Sequence, residues 1–356
     1  MVYLEKRSKS SHPLNFSADG LRTPVKKGFF EWWYFDCHSE DGTYIGIVFF
    51  KSLSDIKLKI TPFISVRFKP PHEELIYCEQ PIALKECHFN SRFLDLNFNN
   101  NTVFYDEESS SYHIKLQLET TKLSVDLKIH SQSKPWQPES GKWLFGPHQE
   151  KFFSWFVAMP HGKGHGNVKY NSKSYSLNGE CYHDHNWGNE ELPYFWRDWW
   201  WSRFQFEDYT LIAASLIAAK KHHHAPQKVF ALFKNGKCLF DNQELVHVEK
   251  KHWSECPISK IYRPEKLIYK FPLNGSPCKL EVSDLEVITG VDLLETLSPF
   301  KQWIAKLLNH YPWYFRYNSK AKLMFGDSHS SDSKEGVGVT EFMSLAKKND
   351  IKNKRE

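Results

Sequence analysis

The residues best equipped for chemistry lie in one octapeptide, Cys181-Tyr182-His183-Asp184-His185-Asn186-Trp187-Gly188, which holds a carboxylate, two imidazoles, a phenol, an amide and an indole. Shortly after it, Trp196-Arg197-Asp198-Trp199-Trp200-Trp201-Ser202-Arg203-Phe204 interleaves aromatic rings with charges. An ordinary core takes the rings and excludes the charges, because an unpaired buried charge is costly. Titratable groups beside dense aromatic surface instead suit a proton-handling site inside an apolar, π-lined cavity. If 182–187 is a strand, alternate side chains share a face. Tyr182, Asp184 and Asn186 then point one way, and Cys181, His183, His185 and Trp187 the other. The first set supplies an acid, a phenol that donates to it and an amide that orients it. Desolvation in an apolar barrel is expected to raise the pKa of Asp184 and keep it protonated near neutral pH. Such an acid protonates an alkene or polarises a carbonyl, and aromatic faces stabilise the resulting cation. Water capture gives an alcohol; capture by a second double bond gives a ring.

The same residues admit other readings. His183 and His185 are either catalytic partners of Asp184 or part of a buried hydrogen-bond network that locks a barrel. A metal centre needs three or four converging ligands. His183 and His185 share a face, but His222-His223-His224 reads as an exposed turn between strands, so no metal and no cofactor is expected. Glu31-Trp32-Trp33-Tyr34-Phe35-Asp36 reads as a strand with one Trp in the core and Glu31 paired to an arginine such as Arg197 or Arg203; alternatively, Glu31 and Trp33 belong to the site. The four Trp of the 196–201 run cannot all face inward on one strand. Trp196, Trp199 and Trp201 are the candidates for the substrate-binding wall, with Trp155, Asn186 and Trp187.

The positioning elements are short aromatic and β-branched runs separated by turn signals, an all-β pattern. Phe29–Asp36 and Thr43–Ser52 suggest a hairpin, as do Tyr112–Glu119 and Lys122–His130. Val229–Lys234, Asn235-Gly236 and Lys237–Asp241 form the strongest hairpin signal, since Asn-Gly favours a type I′ turn. A Pro- and Trp-rich segment, Ser131–His148, suggests a boundary, dividing the chain into halves 1–148 and 149–326. The second half is expected to open with Phe152–Met159 and a Gly/His turn at His161–Gly166. Pro299–His310 carries helical spacing, with Ser298 as cap. From residue 327 the chain is polar and expected to be a mobile tail, apart from a short element around Val339–Leu345.

Composition agrees with an aromatic-lined cavity: of 356 residues, 16% are Phe, Trp or Tyr. No apolar run approaches the ~18 residues needed to span a bilayer, and the first residues lack the apolar core of a signal peptide. Seven cysteines without a CxxC pair argue for reduced thiols and a cytoplasmic setting. The net charge of +5 is modest, which argues against nucleic-acid binding; the basic tail Lys347–Arg355 allows weak peripheral attraction to anionic membranes.

Taken together, Glu31-Trp32-Trp33-Tyr34 resembles the opening motif of the lipocalin-like AttH/CrtC superfamily, and Tyr182-His183-Asp184-His185-Asn186-Trp187-Gly188 resembles its second signature. That superfamily includes carotenoid 1,2-hydratases (hydroxyneurosporene synthases) and is related to lipocalin-like Diels–Alderases. The resemblance extends from about residue 25 to residue 325. It implies two lipocalin-like β-barrel halves and a cavity for a lipophilic ligand. The hydratases carry a His-x-Trp pair before the second signature, whereas here Phe153-Ser154-Trp155 keeps the Trp alone; His161 or His165 could substitute for the missing His. The expected activity is therefore acid-assisted protonation of an isoprenoid or polyene, followed by hydration or cyclisation. The alternatives are a pericyclase that preorganises its substrate and a non-catalytic binder of lipophilic molecules.

Overall fold

The computed structural model describes residues 2–7, 14–53, 55–295, 312–326 and 332–345. They are almost wholly β-strand, arranged as two curled antiparallel sheets that form half-barrels. Among the described residues the single α-helix is the turn Leu192–Phe195, accompanied by short 3₁₀ turns such as Phe16–Asp19.

The first sheet has thirteen strands: β1 (Val2–Leu4), β2 (Phe30–Ser39), β3 (Tyr44–Ser52), β4 (Phe63–Lys69), β5 (Ile76–Pro81), β6 (Cys87–Phe89), β7 (Asp95–Phe98), β8 (Asn101–Asp106), β9 (Ser111–Leu118), β10 (Leu123–Ser131), β11 (Lys142–Phe145), β12 (Lys151–Tyr170) and β13 (Lys173–Gly188). Its main path runs β5-β4-β3-β2-β13-β12-β10-β9-β8-β7-β6. The second has nine: β14 (Trp196–Phe206), β15 (Tyr209–Ala218), β16 (Pro226–Lys234), β17 (Lys237–Phe240), β18 (His247–Glu255), β19 (Tyr262–Leu273), β20 (Ser276–Asp292), β21 (Trp313–Phe325) and β22 (Asp332–Ser344). Their order is β17-β16-β15-β14-β22-β21-β20-β19-β18.

Local sequence accounts for the hairpins. β2–β3 and β9–β10 pair as expected, with His38 opposite Tyr44 and Leu118 opposite Leu123. Asn235 and Gly236 both take positive φ, 49° and 73°, and close the β16–β17 hairpin. Asn171 and Ser172 do the same between β12 and β13, at 46° and 69°. Odd-numbered residues of β2 (Trp33, Phe35, Cys37) and the aliphatic face of β9–β10 fill the first core; Trp200, Phe204, Leu211, Tyr269 and Phe315 belong to the second.

Three expectations are corrected. The chain divides into units Val2–Glu191 and Leu192–Glu356, so the boundary falls well after the Ser131–His148 segment. The reason is that β12 and β13 belong to the first sheet, where β13 pairs with β2 and β12 with β10. The Gly/His segment 161–166 is not a turn but continues β12, with bulges between Phe156 and Met159 and between Met159 and Gly162. Its glycines serve close approach: a Cβ on Gly164 would meet Cys181 Sγ at 2.4 Å, and one on Gly166 would meet the Asp126 carbonyl at 2.1 Å. Finally, 332–344 is not tail but β22, a central strand between β14 and β21. Its polar half, Ser333-Lys334-Glu335, is balanced by partners such as Lys322, while Thr340 and Phe342 are buried. The helix expected over 299–310 lies outside the described residues.

Candidate active site

β13 carries the octapeptide as an unbroken strand between β2 and β12, and alternation sorts its side chains as expected. Cys181 faces the core, so Tyr182, Asp184 and Asn186 share the opposite face. Three neutral donors converge there on one carboxylate. The Tyr182 hydroxyl and the Trp155 indole N–H each donate to Asp184 Oδ2 at 2.9 Å, and the Asn186 amide donates to Oδ1 at 2.9 Å. Trp155 comes from β12, directly opposite Asn186. Asp184 retains 8% exposure, Asn186 6%, Trp155 5% and Tyr182 none. The carboxyl is thus fixed in orientation from two strands.

β2 extends this face. Tyr34 stands opposite Asp184, and Asp36 opposite Tyr182. The Tyr34 hydroxyl donates to Asp36 Oδ2 at 2.7 Å, and the two tyrosine rings lie 6.2 Å apart. Tyr34 and Asp36 were not picked out from the sequence, although the alternation used for β13, applied to Trp32-Trp33-Tyr34-Phe35-Asp36, places them on a common face.

The other face of the same strands holds a second, fully buried set. His183 Nε2 bonds Asp19 Oδ2 at 2.7 Å, with its Nδ1 2.9 Å from the Tyr34 carbonyl. His185 lies between Asp19 Oδ1 at 3.5 Å and Glu31 Oε1 at 2.9 Å. Glu31 also accepts from the Arg22 and Thr23 N–H groups and from the Thr23 hydroxyl, and pairs with Lys51 at 3.6 Å. Asp19, Glu31, Lys51, His183 and His185 are all at 0% exposure. His183 stacks on Phe35 with ring centroids 3.8 Å apart, and His185 on Trp33 at 4.5 Å. Asp19 reaches this position from the 3₁₀ turn that Asn15 caps. Burial pushes the Glu31 carboxyl up, but the His185 hydrogen bond, the charges of His185 and Lys51 and the Thr23 hydroxyl hold it below the usual carboxylate range. Burial pushes His185 down, against Glu31 and Asp19, and pushes Lys51 down, against Glu31.

These placements revise the expected roles. His183 and His185 share the core face and do not reach the Asp184 face. Glu31 pairs with Lys51 and His185 rather than with Arg197 or Arg203, because β3, its neighbour in the sheet, places Lys51 beside it. Trp33 is a core residue, and Trp187 packs against the same core with its ring 4.7 Å from His185. His161, within β12, bonds Glu180, and His165 is an exposed residue stacked on His130. Trp196, Trp199 and Trp201 belong to β14 of the second unit. There Trp199 donates to Glu341 at 3.1 Å, Trp196 and Trp201 are buried, and Trp200 fills the core. Arg197 and Asp198 pair with one another. His222 is buried against the Tyr194 carbonyl, rather than exposed. Among the described residues, no group of three His, Cys, Asp or Glu side chains converges as a metal site.

Residues 15–263 match the model of the Diels-Alderase-like family. The chain belongs to that family. Several solved structures share its fold. A protein assigned as AttH from Nitrosomonas europaea is 14% identical with a TM-score of 0.64, covering 96% of this chain and 100% of that one. CghA, solved with Sch210972, is 12% identical with a TM-score of 0.65, covering 90% and 89%. Kievitone hydratase from Nectria haematococca is 12% identical with a TM-score of 0.58, covering 96% of each. No curated protein matches the chain in sequence. No helix among the described residues is long and apolar enough to cross a membrane.

Proposed function

We propose that this member of the Diels-Alderase-like family is an enzyme that acts on a lipophilic isoprenoid or polyene, with Asp184 as its acid. The convergence of Trp155, Tyr182 and Asn186 on that one carboxylate carries the proposal. Three donors hold the carboxyl in one orientation, and positioning of the acid against the reacting atom is the first requirement of general acid catalysis. The proton adds to one carbon of a C=C bond, the π pair forms the new C–H bond, and the positive charge falls on the neighbouring carbon. Trp32 and Tyr34, half-buried on the same face, supply ring faces to that cation. A water that adds to the cation and returns a proton to the carboxylate gives an alcohol. A second C=C that adds to it, followed by proton loss to the same carboxylate, gives a ring. His183, His185 and Glu31 act through β13 and β2 as positioning residues.

The family match favours one second reading. A pericyclic cyclisation needs no proton transfer, only a substrate held folded and a carbonyl polarised by a hydrogen bond. Asp184→Asn separates the two. Both forms are expressed in a host that makes acyclic polyenes, co-purified lipids are extracted and identified by mass spectrometry, and turnover of the recovered compound is followed. Retained ligand with lost turnover supports acid catalysis. Full turnover by Asp184→Asn removes the acid and leaves the pericyclic route, and absence of turnover in both forms would reduce the protein to a binder.

A further inference from the structure

The second unit contains a cavity of about 420 Å³ whose described lining residues all belong to that unit. Its walls come from β16, β15, β14 and β22, which run from near one end of the nine-stranded order to its middle, and from β19 and β18 at the other end. The sheet therefore curls until its opposite ends face each other across the space. Gln243 and Lys228 tie the seam: the Gln243 amide exchanges hydrogen bonds with the Phe230 backbone, and Lys228 Nζ donates to the Val246 carbonyl.

We propose that this half-barrel is a binding site for an amphipathic carboxylate bearing a hydroxyl or carbonyl along its apolar body. Three observations argue for that chemistry. Two aromatic pairs line the space, Trp200 on Phe342 with centroids 4.4 Å apart and Trp253 on Tyr262 at 5.9 Å, offering flat apolar walls. The charged lining is net cationic, with Arg197, Lys228 and Lys250 against the one acidic residue among the described lining, Asp198, which pairs with Arg197. Finally, Ser344 borders the cavity beside Phe342, opposite Asp198 on the β14–β22 ladder, and among the described residues its buried hydroxyl has no hydrogen-bond partner. Leaving a buried hydroxyl unpaired is costly, so a ligand oxygen is its natural complement. The volume lies within the range of small-ligand sites. The site does not depend on the reaction assigned to Asp184.

The test is a fluorescence titration of the full chain with cis-parinaric acid and with its methyl ester, read by energy transfer from tryptophan. The acid is expected to saturate at one equivalent and to bind at least about tenfold more tightly than the ester. Lys250→Gln, at a half-buried position that leaves the fold intact by circular dichroism, should weaken the acid and leave the ester unchanged. Trp253→Leu should weaken both. In competition, 12-hydroxystearate should displace the probe at lower concentration than stearate, and Ser344→Ala should abolish that advantage. The proposal is overturned if acid and ester bind equally, if no saturable binding occurs, or if Lys250→Gln leaves binding of the acid untouched.

Discussion

Asp184 and Tyr34 stand directly opposite one another across the β13–β2 ladder, yet each hydrogen-bonds a residue two places along its own strand. Two tyrosine–aspartate pairs, Tyr182–Asp184 and Tyr34–Asp36, therefore run in opposite directions on one face. Antiparallel pairing of two i, i+2 motifs produces this crossing without any further device. It also sets two carboxylates on one surface with different partners, three neutral donors on Asp184, and on Asp36 the Tyr34 phenol with the His38 imidazole 3.7 Å away.

That asymmetry predicts unequal effects of substitution. Asp184→Asn should lower kcat by about 10²- to 10⁴-fold, the range for loss of a general acid, with KM little changed. Tyr182→Phe, which removes one donor, should cost less than Asp184→Asn, and Asp36→Asn less again. Steady-state kinetics on the substrate recovered from the protein decides the order. Equal losses at Asp36 and Asp184 would make the two carboxylates a joint catalytic pair.

The buried set around Glu31 should be read out in stability. Lys51→Met leaves the Glu31 carboxylate without its ammonium partner, and losing one member of a buried pair costs about 3–5 kcal/mol. The double variant Glu31→Gln/Lys51→Met should recover much of that loss, because no lone charge remains. Urea unfolding of the three proteins forms the test, and an additive double variant would refute a coupled pair.

The same network predicts acid sensitivity. Glu31 has a lowered folded pKa, so its contribution is present above the ordinary carboxyl value of about 4.3 and disappears as pH falls through the folded value. Glu180 behaves alike, held at about 2 by His161 and Lys163 against the upward push of burial. His185 is also lowered, by burial, so the unfolded chain takes up its proton first and stability begins to fall below about pH 6.5. The unfolding midpoint should thus decline in two stages between pH 7 and pH 3. His185→Gln should shrink the first stage and leave the second; an unchanged first stage would show that other histidines cause it.

Much of this architecture was legible because strand alternation is local. The two-face division of 181–187, the β2–β3 and β9–β10 hairpins and the Asn235-Gly236 turn all follow from neighbouring residues. Partner identities were not legible. Asp19 lies far from His183 in sequence and sits in a turn with no periodic pattern, so nothing near the octapeptide announces it. The unit boundary was obscured for a related reason: the long β12–β13 hairpin follows the Pro- and Trp-rich segment but returns to pair with β2, a long-range choice that composition does not record. The glycines of β12 misled most directly, because the same residue type marks a turn when φ is positive and a close contact when it is not.

Those glycines give the last prediction. A Cβ on Gly164 would lie 2.4 Å from Cys181 Sγ and 3.2 Å from Cys37 Sγ, two buried side chains that oppose each other on β13 and β2. Gly164→Ala should therefore behave as overpacking of a core and cost about 1–3 kcal/mol. A Cβ on Gly166 would instead meet the Asp126 carbonyl at 2.1 Å and the Leu127 Cα at 2.8 Å, both main-chain atoms of the neighbouring β10. Side chains shift more easily than a paired backbone, so Gly166→Ala should be the more damaging change. Relief should differ too. Adding Cys181→Ala to Gly164→Ala opens space where the new methyl falls and should restore part of the loss, while no single side-chain truncation relieves Gly166→Ala. Thermal unfolding of Gly164→Ala, Gly166→Ala, Cys181→Ala and the Gly164→Ala/Cys181→Ala double variant gives the ranking. If Cys181→Ala only adds to the damage of Gly164→Ala, Gly164 is not there for the packing of β13 on β12.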